Sequence, residues 1–122
     1  MVIFVIQEHH ATTKHYDFRL EKNKKLKSWA ITKIPPKSKS VKRLAIQIPD
    51  HAYSYRNFEG EIKEGYGKGK VKIWDKGTYK EESWKKDKIV FHLKGKKLKG
   101  KYVLLKTSYG KAGNGWLFFR VG

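Results

Sequence analysis

The chain has no cysteine, three prolines, one methionine and only 11 acidic residues among 122. Without cysteine there is no disulfide scaffold, no thiolate nucleophile and no Cys-ligated zinc or iron–sulfur site. That composition fits a reducing, cytoplasmic setting. Long apolar runs are missing too: Val2–Ile6 is far too short for a signal peptide or a membrane span, so no membrane partner is expected. Sustained helical periodicity is absent, which leaves room for one short helix near Ala52–Arg56.

What the scarce acids leave uncovered is positive charge. Lys and Arg total 29, for a formal net charge of +18, and lysines outnumber arginines 25 to 4. Such a surface attracts polyanions, nucleic acid first among them. The lysine bias suits generic phosphate attraction better than base reading by arginine. The competing reading is that surface lysine only maintains solubility or heat tolerance.

A chain of this length makes one domain spanning 1–122. Its apolar spacing is that of strands. Leu44, Ile46 and Ile48 alternate with Ala45 and Gln47; Ile89, Phe91 and Leu93 alternate with Val90 and His92. Val2–Ile6, Lys27–Thr32, Lys101–Lys106 and Trp116–Val121 are also rich in β-branched or aromatic residues. Turn material stands at Lys22–Lys25, Ile34–Lys37, Asp75–Gly77, Lys94–Lys96 and Tyr109–Gly115, and the three glycines from Gly110 to Gly115 predict a mobile loop there. Many short strands at this spacing predict an all-β fold, a small antiparallel barrel or sandwich.

The chemistry concentrates between Glu8 and Glu21. As a strand from His15, this segment turns Tyr16, Phe18 and Leu20 one way and His15, Asp17, Arg19 and Glu21 the other. Positions two apart on one strand face are roughly 6.5–7 Å apart, so an imidazole and a carboxylate there can share a metal ion. His9, six residues earlier, can fold back as a third ligand. Two His and one carboxylate suit Mn, Fe or Zn and leave coordination positions for substrate; Arg19 then stands beside the metal as a phosphate clamp. The alternative is a surface His-Asp-Arg cluster held by hydrogen bonds.

The pattern His9-x5-His15-x-Asp17-x-Arg19, within Gln7–Glu21, closely resembles the signature of the 3′-phosphoesterase domain of bacterial ligase D and its stand-alone archaeal relatives. The resemblance continues through Leu26–Ala30, Lys33, Pro35-Pro36, Arg43-Leu44-Ala45, Asp50-His51, Tyr55, Phe58-Glu59-Gly60, Trp74–Thr78, Gly100 and Trp116-Leu117. It implies a compact β-barrel with an active-site groove and a manganese-dependent repair activity, other divalent transition metals being possible. Such domains remove a 3′-terminal ribonucleoside, then the 3′-phosphate, to leave a 3′-OH on DNA or RNA-tipped primer-template ends. Carried over, His9, His15 and Asp17 match the metal ligands; Arg19, Lys33, Arg43, His51 and Tyr55 match the phosphate site. A separate ligase or polymerase is an implied partner, and the chain is expected to act as a monomer.

There are departures. With eight residues before His9, the polar residues that family members carry upstream are expected to be missing, and the ribonucleoside-removing step to be weaker. The Gly65–Gly69 stretch looks one residue shorter than usual. Parity places Arg43 with Ala45 and Gln47, away from Leu44, Ile46 and Ile48; for Lys33 the adjacent prolines remove that guide.

Other features have plainer readings. Gly65–Lys70 lacks Walker spacing and reads as a tight turn. His10 reads as a solvated neighbour of His9 without a strand partner, and His92 as a surface histidine. The four tryptophans mostly build core, with at most one stacking platform. The lysines from Lys94 to Lys101 form either a DNA track or a solvated hairpin. The alternative to an enzyme is a non-catalytic basic barrel binding nucleic acid, which has no need of His9, His15 and Asp17. A third possibility keeps the site but changes metal or substrate, such as a cyclic phosphate or RNA end.

Overall fold

The computed structural model describes residues 2–65, 68–110 and 113–122. Among the described residues there are nine strands: β1 (Ile3–His10), β2 (Lys14–Lys22), β3 (Lys25–Ile31), β4 (Lys42–Ala52), β5 (Gly60–Ile62), β6 (Gly69–Trp84), β7 (Lys88–Gly95), β8 (Lys99–Lys106) and β9 (Gly115–Arg120). One 3-10 helix, Tyr53–Asn57, follows β4 where a short helix was expected. The sheet order is β1-β2-β3-β4-β9-β8-β7-β6-β5, every pairing is antiparallel, and β1 also pairs with β6. That pairing closes eight strands into a barrel, as predicted, and leaves β5 as a short extension on β6.

Local chemistry sets the hairpins. Asn23 and Lys24 both adopt positive φ, 53° and 65°, the two-residue turn whose twist matches the strands it joins. Inside the barrel Phe18 stacks on Phe118 at 4.6 Å and on Phe91 at 5.9 Å. Phe4, Ile6, Leu20, Trp29 and Tyr102 pack around them, none with exposure above 1%. Trp29 and Trp116 are core, while lysines lie over Trp74 and Trp84, so no indole is a bare stacking platform among the described residues.

Three expectations are corrected. The apolar face of β4 is reversed: Ala45 is fully buried, paired with Ile31 and Trp116, while Leu44 is 46% exposed. Between Ile31 and Trp116, whose indole meets Trp29 edge to face at 5.9 Å, the space suits a methyl rather than an isobutyl group. Asp75–Gly77 is no turn; it continues β6, whose bulge at Trp74 lets both Ile6–Asp75 and Gln7–Ile73 pair. His10 has strand partners after all, Lys14 and Lys70, though its side chain is exposed. His92 lies on the outside with Glu82 as expected. The loops read at Gly65–Lys70 and Tyr109–Gly115 fall partly outside the described residues.

Candidate metal centre and phosphate site

The β1–β2 hairpin assembles the site on the outside of the barrel. Its register pairs His9 with His15, Gln7 with Asp17 and Val5 with Arg19, and β3 adds Ser28 opposite Arg19. Directly opposed residues share a face, so the alternation that sends Phe18 and Leu20 inward lines up these polar groups outside. This outer face is nevertheless dry: Gln7 and Ser28 are fully buried, Arg19 is 2% exposed, Asp17 5% and His9 6%. The cover is the chain from the end of β4 through the 3-10 helix. Gln7 Nε2 fastens it, donating to the Tyr55 carbonyl at 2.9 Å and the Phe58 carbonyl at 3.2 Å.

His9, His15 and Asp17 present one ligand atom each, all within 4.8 Å of one another. Ligands sharing a metal at bond lengths near 2.1 Å sit roughly 3–4 Å apart, so a small contraction would close the set. The protonation pattern also fits a cation. His15 Nδ1 lies 3.3 Å from the Thr13 carbonyl, which can only accept, so Nδ1 carries the proton and Nε2 is the lone pair of the neutral ring. Nε2 then faces Asp17 Oδ1, another acceptor, at 3.2 Å. Oδ1 is buried and takes no directed hydrogen bond among the described residues. Two acceptors facing each other need a cation between them: a proton, or a metal held by this donor set. A ring whose far nitrogen is fixed by a backbone carbonyl is the usual arrangement of a metal-binding histidine.

Electrostatics agree. The Asp17 carboxylate beside it raises the His15 pKa despite partial burial. Burial pushes Asp17 upward, but His15 and then Arg19 outweigh it and hold the carboxyl below its usual range. The alternative of a surface cluster does not hold: His9, Asp17 and Arg19 are buried and His15 half-buried.

Arg19 is the hub. Its Nε donates to Gln7 Oε1 at 2.6 Å, Nη1 to Ser28 Oγ at 2.7 Å, and Nη2 to Asp17 Oδ2 at 3.3 Å. Nη1 also lies 3.0 Å from His51 Nδ1. Because a guanidinium only donates, that nitrogen accepts, and the neutral His51 ring carries its proton on Nε2. Burial, and next the Arg19 charge, lower the His51 pKa, which favours this neutral form. The guanidinium stands 5.1 Å from the Tyr55 ring centroid; Tyr55 in turn meets His51 at 4.9 Å and stacks on Phe58 at 4.9 Å. Burial raises the Tyr55 pKa and keeps its hydroxyl protonated.

His51 reaches this face through a backbone irregularity. Leu26 pairs with His51 but Ser28 with Ile48, so β4 carries one extra residue around Pro49-Asp50. Without it, alternation would turn His51 toward the barrel interior. Proline, which donates no ladder hydrogen bond, stands at the break.

Lys33 and Arg43 are brought together elsewhere. They line a hollow at the barrel mouth with Lys14, Tyr16, Thr32 and Ile34, and no member of the His/Asp group lines it. Arg43 Nε donates to the Ile34 carbonyl at 2.7 Å. Two supporting residues escaped the sequence reading as individuals. Gln7 had a signal: it is the polar end of the Val2–Ile6 run, on the same parity as His9. Ser28 had none, because its role depends on facing Arg19 across the sheet.

Residues 7–106 match the family model described as DNA Ligase D 3′-phosphoesterase domain. The multifunctional non-homologous end joining protein LigD of Mycobacterium bovis is 46% identical over 123 residues, covering 97% of this chain and 16% of that protein. The protein of that name from Pseudomonas aeruginosa is 40% identical over 123 residues, covering 96% of this chain and 15% of its own length. In Mycolicibacterium smegmatis the corresponding figures are 38% over 130 residues, 97% and 16%. The chain thus spans about one sixth of the length of these curated relatives.

Proposed function

The chain belongs to the DNA ligase D 3′-phosphoesterase domain family, and from that premise we propose that it is a manganese-dependent phosphoesterase that heals DNA 3′ ends, removing a terminal ribonucleoside, a 3′-phosphate or both to leave a 3′-OH. The observation that carries this reading is the cluster of buried His9 and Asp17 with half-buried His15, in which Asp17 Oδ1 lacks a directed hydrogen bond beside the Arg19 guanidinium.

His9, His15 and Asp17 would hold the metal, which supplies charge neutralisation at the phosphoryl oxygens. Fixed by Gln7, Ser28 and Asp17, Arg19 cannot swing away and presents a preorganised positive charge. The remaining Nε2–H of neutral His51 suits hydrogen bonding to a phosphate oxygen, or protonation of a leaving oxygen, and Tyr55 supplies a second neutral donor. Lys33 and Arg43, in their own hollow, suit holding a neighbouring phosphate of the strand rather than the reacting one. The substrates are DNA or RNA-tipped primer-template 3′ ends, handed afterwards to ligase or polymerase activities, fused or separate.

A primer-template labelled at the primer 5′ end, carrying a 3′-phosphate or one 3′-ribonucleotide, tests the reading. Conversion to 3′-OH with manganese, lost with chelator and in His15→Ala, is expected. Tight binding without conversion under several divalent metals would leave a nucleic-acid-binding barrel instead.

A further inference from the structure

Trp74 is the extra residue of the β6 bulge, and ammonium groups from two different loops approach its ring. Lys37 Nζ lies 5.6 Å and Lys97 Nζ 4.6 Å from the ring centroid, while Tyr16 meets it edge-on at 5.8 Å. Both loops are pinned from within. The buried Asp75 carboxylate accepts the N–H groups of Lys96, Lys97 and Leu98 at 2.9, 3.1 and 2.9 Å, which fixes the β7–β8 turn under Lys97. On the other side, Tyr102 donates to the Pro36 carbonyl at 2.8 Å and Arg120 to the Lys37 carbonyl at 2.9 Å.

Four of the 25 lysines are offset by a carboxylate among the described residues. Lys14, Lys22, Lys27 and Lys101 each pair with a carboxylate within 3.1 Å. Lys37 and Lys97 pair with none among the described residues, and the neighbouring Asp75 is already saturated by backbone N–H groups. Two uncompensated ammoniums are thus set on one indole by loops that cannot easily relax. Their distances from one centroid keep them within about 10 Å of each other, close enough to engage neighbouring phosphates of one strand. Since the lysines cover the indole, it offers no bare face to a base; what fits is backbone charge. Tyr16 links this pair to the Lys14, Lys33 and Arg43 hollow, whose wall it forms, so the two make one basic strip.

We infer that Lys37 and Lys97, seated on Trp74, clamp the phosphodiester backbone of the polynucleotide whose 3′ end occupies the His/Asp site. This rests on the phosphoesterase reading for the identity of the strand. The test is fluorescence anisotropy of a labelled primer-template with chelator present, titrated at several KCl concentrations. It compares the wild-type chain, Lys37→Ala, Lys97→Ala and the double variant, with tryptophan circular dichroism confirming an unchanged fold. Each lysine removed should lower the slope of log K against log salt by about 0.9, so the double variant loses about 1.8. Coincident slopes would overturn the clamp. So would an equal loss of affinity for poly-glutamate, because the pair would then be a general polyanion patch. Turnover of the same primer by the wild-type chain with manganese separates the two claims. Conversion with coincident slopes sinks the clamp alone. Reduced slopes without conversion under any metal would sink the enzyme and leave a backbone clamp.

Discussion

Replacing Arg19 by Met would remove one charge while nearly preserving side-chain volume. Arg19 is 2% exposed, and its departure leaves Asp17 without a cation 3.3 Å away and takes the donors from Gln7 Oε1 and Ser28 Oγ. Breaking a buried pair on one side costs about 3–5 kcal/mol, because the other charge stays behind. With an unfolding entropy near 2.1 cal/mol/K per residue, a chain of 122 residues should lose about 12–19 °C in Tm. The loss has a pH signature. Burial raises the Asp17 pKa, but His15 and Arg19 hold it net below its ordinary value. Its contribution is therefore present above the unfolded pKa and is lost as pH falls through the folded one. Without Arg19 the folded value moves up, so acid unfolding of the variant should begin at a higher pH than in the parent. Calorimetry and urea titrations on Arg19→Met, Asp17→Asn and the double variant measure both effects. The double variant should be more stable than additivity allows, since the uncompensated charge is gone. A cost below about 1 kcal/mol, or strict additivity, would refute the view that Arg19 neutralises a buried carboxylate.

Four further outcomes are expected. Manganese at a hundredfold excess over its Kd should stabilise the chain by about 2.7 kcal/mol in thermal melts, a gain reversed by chelator and absent in His15→Ala. The His51 pKa is lowered, by burial first and Arg19 next. The unfolded chain therefore binds the extra proton first, and stability is lost as pH falls below the ordinary imidazole value; urea midpoints between about pH 8 and 5 should fall less steeply in His51→Gln. Asp75→Ala strands the N–H groups of Lys76, Lys96, Lys97 and Leu98, one of them fully buried. It should cost about 3–5 kcal/mol by chemical denaturation, and Asp75→Asn distinctly less. Ala45→Leu should cost about 1–3 kcal/mol against Ile31 and Trp116, while Leu44→Lys should stay within about 0.5 kcal/mol, an ordering that the opposite β4 face would invert.

Alternation within β2 was enough to separate Tyr16, Phe18 and Leu20 from His15, Asp17 and Arg19, because a strand has a fixed period of two and both sets are contiguous. The short Ala11–Thr13 connection likewise made it legible that His9 returns beside His15. Strand spacing and turn residues were also sufficient for the all-β barrel. Periodicity says which residues share a face, not which face is covered. On β4 the hydrophobic set Leu44, Ile46 and Ile48 pointed the wrong way, since volume opposite Ile31 and Trp116, not hydropathy, selected Ala45 for the interior. Nor does a period of two survive a bulge: His51 joins Arg19 only because β4 gains a residue near Pro49, and Trp74 meets Lys97 only because β6 gains one beside Asp75. The dryness around Arg19 came from Tyr53–Phe58 folding over an outer barrel wall and being tied down by Gln7. A contact spanning about fifty residues of chain is a product of the tertiary structure, because no local preference encodes it.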